Sequence, residues 1–577
     1  MRKHIIGALA LLALAACTNK PKDGDYTLEL LTTNDLHGSY FDSTYVNNDT
    51  RRSLLSVNYY VDSVRTAVGK ENVILLDAGD FLQGDNAAYY YNYVDTTSEH
   101  IFSRMASYMG YDVVVSGNHD IETGHAVYDR IGKELNARGI PFLGGNAIRN
   151  DDGKRYFPEQ VIIKKNGLKV LVLGYNNASI STWLDETIWS GMHFESLLPL
   201  VQKDVDEIVE KQKPQVVIVA VHSGTGAGNG EMLESQGLDL FNSLRGVDFV
   251  VCAHDHRAVT RQNDSICLIN SGSHARNIGH GTISVKVKDG KVIEKKMEAG
   301  MIPVSADKAD AQMRAAFQAD YLKVKEFTLQ EVGNLEMELK TSDAFMGMSD
   351  YVNFVHTVQL TSTPARISFA APLKYNGYVK SGTVLYNDLF TIYPYENQLF
   401  VVKMTGKEIK DYLECSYDTW IQTIKSANDH VLNIRQVGDP RNSQEGWSFV
   451  HRSYNFDSAA GVNYTVDVTK PFGERITLST MASGEPFDIT ETYEVAMTSY
   501  RANGGGELLE KAGIPDSSDR IVLKAKEIRD LVYDFFLTHG TVTHELVGDP
   551  SIIGKWEFIP SDMAKKAINA DMLLLFR

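Results

Sequence analysis

The sequence has 577 residues, with 57 Lys+Arg against 74 Asp+Glu and a formal charge of −17. Its 43% apolar and 23% charged residues are a globular composition, which excludes disordered and fibrous classes. A chain this long needs two large domains, and its negative charge opposes a polymeric nucleic acid, leaving small anions as ligands where cations supply the positive charge.

Met1-Arg2-Lys3-His4 is a basic start, and Ile5 to Ala16 is an apolar run of 12 residues, too short to span a bilayer. The run ends Leu14-Ala15-Ala16-Cys17, which resembles a bacterial lipobox. That resemblance implies a signal peptide over 1–16, lipidation of Cys17 as the first mature residue, and a polar tether over 18–25. The plainer reading is an ordinary secretory signal that precedes a cysteine, and either one exports the protein. The expected location is the periplasm or cell envelope, as an outer-membrane lipoprotein of a Gram-negative bacterium. No later segment is apolar for long enough to span, so the anchor at Cys17 is the expected membrane contact. Cys252, Cys267 and Cys415 remain. The first two sit in apolar runs and read as buried thiols, and no CxxC or Cys–His zinc pattern occurs.

Between residues 27 and 257 one pattern recurs, a short β-branched apolar run followed at once by Asp, Asn or His. Thr27-Leu28-Glu29-Leu30-Leu31 leads to Asp35-Leu36-His37. Val73-Ile74-Leu75-Leu76 leads to Asp77-Ala78-Gly79-Asp80, and Val113-Val114-Val115 to Gly117-Asn118-His119-Asp120. Val216-Val217-Ile218-Val219-Ala220-Val221 leads to His222, and Val247-Asp248-Phe249-Val250-Val251 to His254-Asp255-His256. Runs apolar on nearly every residue predict strands buried on both faces, and 97–109 and 128–137 carry helical spacing, which makes this an α/β layered domain. Ligands bind at the carboxyl edges of such strands, so the five clusters should converge.

What converges is carboxylates, a carboxamide and imidazoles without a thiolate, a donor set suited to Zn, Mn or Fe. These are too many ligands for one ion, whereas two ions sharing a bridging carboxylate would use them all. Buried carboxylates without cations would be costly. Taken singly, each cluster has a plainer explanation: Asp-x-His as a turn, Gly-Asn-His-Asp as a tight loop, His222 as a core histidine. Five in order at five strand ends point to a site.

These residues carry a family resemblance. Asp35-x-His37, Gly79-Asp80, Gly117-Asn118-His119-Asp120, Val221-His222-Ser223 and Ala253-His254-Asp255-His256 resemble the motif set of the calcineurin-like metallophosphoesterases. More narrowly they resemble the 5′-nucleotidase and 2′,3′-cyclic-nucleotide phosphodiesterase group. The resemblance implies a four-layer αββα sandwich over 26–300, with two divalent ions (Zn, Mn, Co or Fe). Asp35, His37 and His256 would hold one ion, Asn118, His222 and His254 the other, and Asp80 would bridge. His119 would act on the phosphate as a catalytic group oriented by Glu122, where the 5′-nucleotidases carry Asp.

After Gly300 the character changes. Residues 306–330 are rich in Ala, Lys, Glu and Gln and read as helix inside a linker over 301–340, and 343–359 reads as a second helix. Strand patterning at 383–389, 398–405, 461–467 and 493–499, with a helix at 406–416, predicts an α+β domain over 341–537, followed by a packed extension over 538–577. The resemblance implies a 5′-nucleotidase-type substrate domain in which two aromatics sandwich a base. The candidates are Tyr454 in Tyr454-Asn455-Phe456-Asp457 and Tyr500 in Tyr500-Arg501-Ala502-Asn503-Gly504-Gly505, with Arg501, Asn503 and Gly504 beside it. The plainer reading of either tyrosine is half-buried core.

The 5′-nucleotidase signatures Asn-x-Gly-Gly-x-Arg and Gly-Gly-Asp-Gly are missing. Ala365-Arg366-Ile367-Ser368-Phe369-Ala370-Ala371-Pro372 and Tyr393-Pro394-Tyr395-Glu396-Asn397 look more like the 2′,3′-cyclic-nucleotide 2′-phosphodiesterase/3′-nucleotidases. Bidentate guanidinium contacts hold terminal phosphates well, and a cyclic diester needs them less. The expectation is a monomeric hydrolase of 2′,3′-cyclic nucleotides and 3′-nucleotides. The alternatives are a 5′-nucleotidase or broad nucleotide-sugar hydrolase on the same fold, and a non-catalytic nucleotide-binding lipoprotein.

Overall fold

The structure, a computed structural model, describes residues 21–437, 446–514 and 518–576. The signal segment, Cys17 and the start of the expected tether lie outside the described residues, and residues 24 and 25 already belong to a strand. No helix among the described residues is long and apolar enough to cross a membrane.

Twelve strands of the first part are, in chain order, β1 (Gly24–Thr33), β2 (Val73–Asp77), β3 (Val113–Val115), β4 (Phe142–Leu143), β5 (Gln160–Lys165), β6 (Leu168–Tyr175), β7 (Val216–Val221), β8 (Phe249–Cys252), β9 (Ala258–Gln262), β10 (Cys267–Ser271), β11 (Asn277–Lys288) and β12 (Lys291–Pro303). They form two six-stranded sheets, ordered β12-β11-β1-β2-β3-β4 and β9-β10-β8-β7-β6-β5. Side chains alternate between faces along a strand. Leu28, Leu30, Ile74, Leu76, Val113 and Val115 of one sheet therefore meet Val170, Val172, Val216, Ile218, Phe249 and Val251 of the other in a shared core. The opposite faces carry Leu31, Val73 and Leu75 under one helix layer and Leu171, Val217 and Val219 under another. This is the expected αββα sandwich. Each fully buried aliphatic side chain contributes about 1.5–3 kcal/mol by leaving water. Cys252 and Cys267 lie on neighbouring strands as buried free thiols.

The first sheet is parallel through β1-β2-β3-β4 and the second through β6-β7-β8-β10. All the strands that precede the polar clusters thus deliver their carboxyl ends to one edge of the sandwich.

The later strands used below are β13 (Glu331–Leu335), β14 (Ile367–Ala370), β15 (Gly382–Leu385), β16 (Gln398–Thr405), β17 (Ser458–Ala460), β18 (Val462–Asp467), β19 (Ile476–Met481), β20 (Thr492–Thr498), β21 (Ile521–Glu527), β22 (Thr541–Val542) and β23 (Trp556–Ile559). A five-stranded sheet, β17-β14-β20-β16-β21, is flanked by three-stranded sheets β19-β18-β23 and β15-β13-β22. Phe400, Val402 and Met404 face one core and Leu399 and Val401 the other, so β16 is covered on both sides.

Four expectations are corrected. The linker over 301–340 ends earlier, because β13 pairs with β15 and β22. The extension over 538–577 is woven into the second domain, since β22 joins β13 and β23 pairs with β18. The helix over 343–359 is a 3₁₀ turn, Thr341–Met346, and a separate helix, Asp350–Thr361, because Gly347 sits at φ 139° and Ser349 caps the new start. The strand over 383–389 stops at Leu385, where Asp388 accepts the Leu385 N–H at 2.8 Å and opens the helix Tyr386–Ile392.

Trp556 on β23 packs in a cluster of rings with Tyr417, Trp420, Tyr464 and Phe558. Trp556→Ala should cost about 3–5 kcal/mol, read as a lower urea midpoint for the second domain. A variant of unchanged midpoint would show that the C-terminal strand is dispensable to that core.

Candidate active site

The clusters at the strand ends occupy strained backbone. Asp35 (φ 48°), His37 (46°), Asp80 (62°), His254 (70°) and His256 (59°) all lie in the left-handed region, which non-glycine residues adopt at a cost repaid by the surroundings. Two glycines make room. A Cβ on Gly79 would stand 2.7 Å from His222 Nδ1, and one on Gly117 would strike the Asp80 carboxylate. The fully buried Asp120 carboxylate ties the loops together: Oδ1 accepts from Phe81 N and Leu82 N at 3.0 Å each, and Oδ2 from Gly117 N at 2.7 Å and Asp80 N at 2.9 Å. Burial, with Asp80 nearby, pushes Asp120 up to about 6.

Two groups of donor atoms converge, Asp35/His37/His256 and Asp80/His222/His254, each within 4.8 Å. His37 Nε2 lies 2.9 Å from His256 Nε2, and His256 Nε2 lies 3.5 Å from Asp35 Oδ1. The groups adjoin, with His222 Nε2 3.0 Å from Asp80 Oδ2 and 3.9 Å from Asp35 Oδ1. Asn118 Oδ1 faces His254 Nδ1 at 2.9 Å. His222 Nδ1 donates to the Ala78 carbonyl at 2.8 Å, which leaves the lone pair on Nε2, a buried atom with no aligned hydrogen bond. An imidazole oriented in this way through its second nitrogen suits metal ligation. Oxygen and nitrogen donors without thiolate, lone pairs aimed inward and one orphaned buried nitrogen together fit a pair of divalent ions.

Electrostatics agree. Burial raises the Asp80 carboxyl, but His222, His119 and His37 outweigh it and hold it below the usual carboxylate range. Burial and His256 push His37 well down, keeping it a neutral donor. His222 is opposed by burial but raised to about 9 by Asp80 and Asp35. Ligation displaces that proton.

His119 belongs to neither donor group. Its backbone N–H bonds Asp80 Oδ1 at 2.9 Å, and its ring Nδ1 meets Glu122 Oε2 at 2.5 Å. Burial lowers its pKa, but Asp80 and Glu122 carry it to about 10. The extra methylene of Glu122 is accommodated, and Gln83 Nε2 donates to the same carboxylate oxygen at 3.0 Å.

On the second domain, Tyr454 and Tyr500 are half-buried and near enough to influence one another. The Tyr500 hydroxyl is raised by burial and further by Tyr454, Glu234 and Tyr395, and its ring lies against Gly505, where a Cβ would clash. Arg501 corrects the expectation of a substrate contact. It is 3% exposed, and all five N–H groups are engaged: Nε with Asp457 Oδ2, Nη1 with Asn455 Oδ1 and the Gly505 carbonyl, Nη2 with the Tyr454 carbonyl and Asp457 Oδ1. It braces the loops that bear the two tyrosines. Asn503 Nδ2 reaches Trp183 O in the first domain at 3.4 Å, and Gly504 lies beside Thr182.

Sequence reasoning missed Trp183, whose ring stacks on His254 at 5.3 Å and 12°. It also missed Glu234, 3.9 Å from His254 Nε2, and His274, 5.2 Å from the His37 ring. Trp183 and Glu234 lie well past their strands, where no pattern marked them, whereas His274 follows β10 by three residues and carries the same strand-end signal as the other clusters.

The calcineurin-like phosphoesterase family matches residues 28–258, and the 5′-nucleotidase C-terminal domain matches residues 331–511. A 2′,3′-cyclic-nucleotide 2′-phosphodiesterase/3′-nucleotidase of Salmonella typhimurium is 25% identical over 83% of this chain and 81% of its own. A trifunctional nucleotide phosphoesterase of Bacillus subtilis is 23% identical over 95% of this chain, which spans 40% of that protein's length. Among solved structures, a candidate 5′-nucleotidase of Staphylococcus aureus shares the fold with a TM-score of 0.76 at 20% identity, covering 92% of this chain and 99% of that one.

Asp120→Asn turns one carboxylate oxygen into an NH₂ facing two backbone N–H groups, leaving both unpaired at about 1–3 kcal/mol each. The expected result is a lower thermal midpoint and fewer divalent ions retained per chain after dialysis. Wild-type values for both would remove Asp120 from its place as the organiser of these loops.

Proposed function

Because the chain belongs to the calcineurin-like phosphoesterases and carries a 5′-nucleotidase C-terminal domain, we propose that this phosphoric-ester hydrolase opens 2′,3′-cyclic nucleotides to 3′-nucleotides and then releases their phosphate. In this proposal Asp35, His37 and His256 hold one ion, Asn118, His222 and His254 the second, and Asp80 lies between them. The observation that carries the reading is the convergence of these donors beside an unligated His119. Bound there, divalent ions supply Lewis acidity and a water of lowered pKa.

The chain's own groups do the rest. Glu122 takes the Nδ1–H of His119 and leaves Nε2–H for the substrate, and the carboxylates around His119 favour its protonated form. In the first reaction water oxygen bonds to phosphorus, the P–O2′ bond breaks, and His119 protonates O2′ as general acid. In the second the P–O3′ bond breaks in the same way, giving nucleoside and phosphate. Tyr454 and Tyr500 hold the base by stacking, which tolerates any nucleobase. Asn503 and Gly504 support that pocket from the interdomain face. With every Arg501 donor used internally, that guanidinium has none for a terminal 5′-phosphate, which favours the cyclic and 3′ substrates. The signal segment and Cys17 support export and lipid anchoring to the cell envelope.

His119→Ala should lower turnover of 2′,3′-cyclic AMP by about 10²-fold or more with bound metal unchanged; metal loss in this variant would mean that His119 is a ligand. Tyr500→Ala and Tyr454→Ala should each weaken substrate binding by about 1–3 kcal/mol, seen in KM. In a panel of 2′,3′-cyclic AMP, 3′-AMP and 5′-AMP with Mn, Co or Zn, preference for 5′-AMP would overturn the substrate assignment and leave the metal centre standing.

A further inference from the structure

We propose that Trp183 is a positioning residue that fixes the ring plane of His254 and thereby sets how tightly the second ion is held. This rests on the reading of His254 as a ligand to that ion. The indole of Trp183 lies flat on the His254 imidazole, with centroids 5.3 Å apart and planes 12° apart, an offset stack in the range that aromatic pairs prefer. His222 meets the same imidazole edge-on at 5.6 Å and 72°. The backbone of His254 is held separately: its N–H lies 2.9 Å from Asp35 Oδ2 and 3.1 Å from Oδ1, at a φ of 70°. Backbone anchoring leaves the side-chain torsions free, and the stack on Trp183 is what restricts them.

The two nitrogens of His254 have different surroundings. Nδ1 stands 2.9 Å from Asn118 Oδ1, the carboxamide oxygen assigned to the same ion. Nε2 points the other way, 3.9 Å from Glu234 Oε2. That distance is outside hydrogen-bond range, but the negative charge favours the tautomer with its proton on Nε2 and the lone pair on Nδ1. Rotation of the ring would carry Nδ1 away from Asn118, and the indole face blocks it.

Trp183 is itself well placed to serve as a fixed wall. Fully buried Asn177 accepts from Ser179 N at 2.9 Å and donates to the carbonyls of His222 at 3.2 Å and Glu234 at 3.0 Å, so one side chain ties the turn that bears Trp183 to both neighbours of His254. The second domain holds the turn from outside, through Asn503 Nδ2 on the Trp183 carbonyl at 3.4 Å and Lys524 on Asp185.

The test compares Trp183→Leu, which keeps apolar bulk, with Trp183→Phe, which keeps a planar ring, by titrating Mn into the metal-stripped full chain. Trp183→Leu should raise the dissociation constant of the more weakly held Mn about tenfold or more, the usual scale for a residue that orients a ligand, and Trp183→Phe should stay within about threefold of wild type. In the His254→Ala background Trp183→Leu should change Mn binding by less than about twofold, because no imidazole is left to orient. A second readout is tryptophan fluorescence: Co should quench the wild type, and most of that quenching should vanish in Trp183→Phe. Wild-type Mn affinity in Trp183→Leu would overturn the proposal, as would equal losses in the Leu and Phe variants or a loss that persists in full without His254. Two ions held at wild-type affinity by His254→Ala alone would instead refute the reading of His254 as a ligand. Should Trp183→Leu fail to fold, Trp183→Met, also apolar and without a ring, reads the same comparison.

Discussion

Four backbone N–H groups pointing at one buried carboxylate hold this site together. Asp120 draws Gly117, Asp80, Phe81 and Leu82 onto itself, and in doing so keeps Asp80 in a left-handed conformation that its own preferences oppose. Asp80 in turn stands between His222 and the N–H of His119. A charge accepting four backbone donors is among the strongest local ties a protein interior offers. Gly79 and Gly117 are required because the loops close so tightly around it.

The sandwich explains why such strained loops can exist. Two mainly parallel sheets packed face to face form a stiff, close-packed platform. Parallel strands bring their carboxyl ends to one edge, so chain segments more than 200 residues apart deliver Asp35 and His256 to the same point. The helix layers bury the outer faces and leave the edge open for the polar loops.

Side chains of the two domains meet directly. Asn86 with Asn387, Lys524 with Asp185, and Asn503 with Trp183 cross between the domains. Trp183 then lies on a candidate ligand, His254. Arg501 acts inside the second domain, bracing the loops that bear Tyr454 and Tyr500.

The sequence by itself determined the layered first domain, its strand ends and the donor set, because runs buried on both faces and polar residues directly after them are local signals. It also marked β16 and β20 of the second domain almost to the residue. It could not show that Arg501 is consumed within its own domain, since a guanidinium beside a glycine run looks alike whether it faces ligand or carbonyls. Nor could it show that residues 541–559 complete sheets begun at 331 and 462, or that Trp183, Glu234 and Gln83 gather around the centre. Strand periodicity is written within a few residues. Contacts between loops and domains depend on how distant segments pack, and only the tertiary structure decided those.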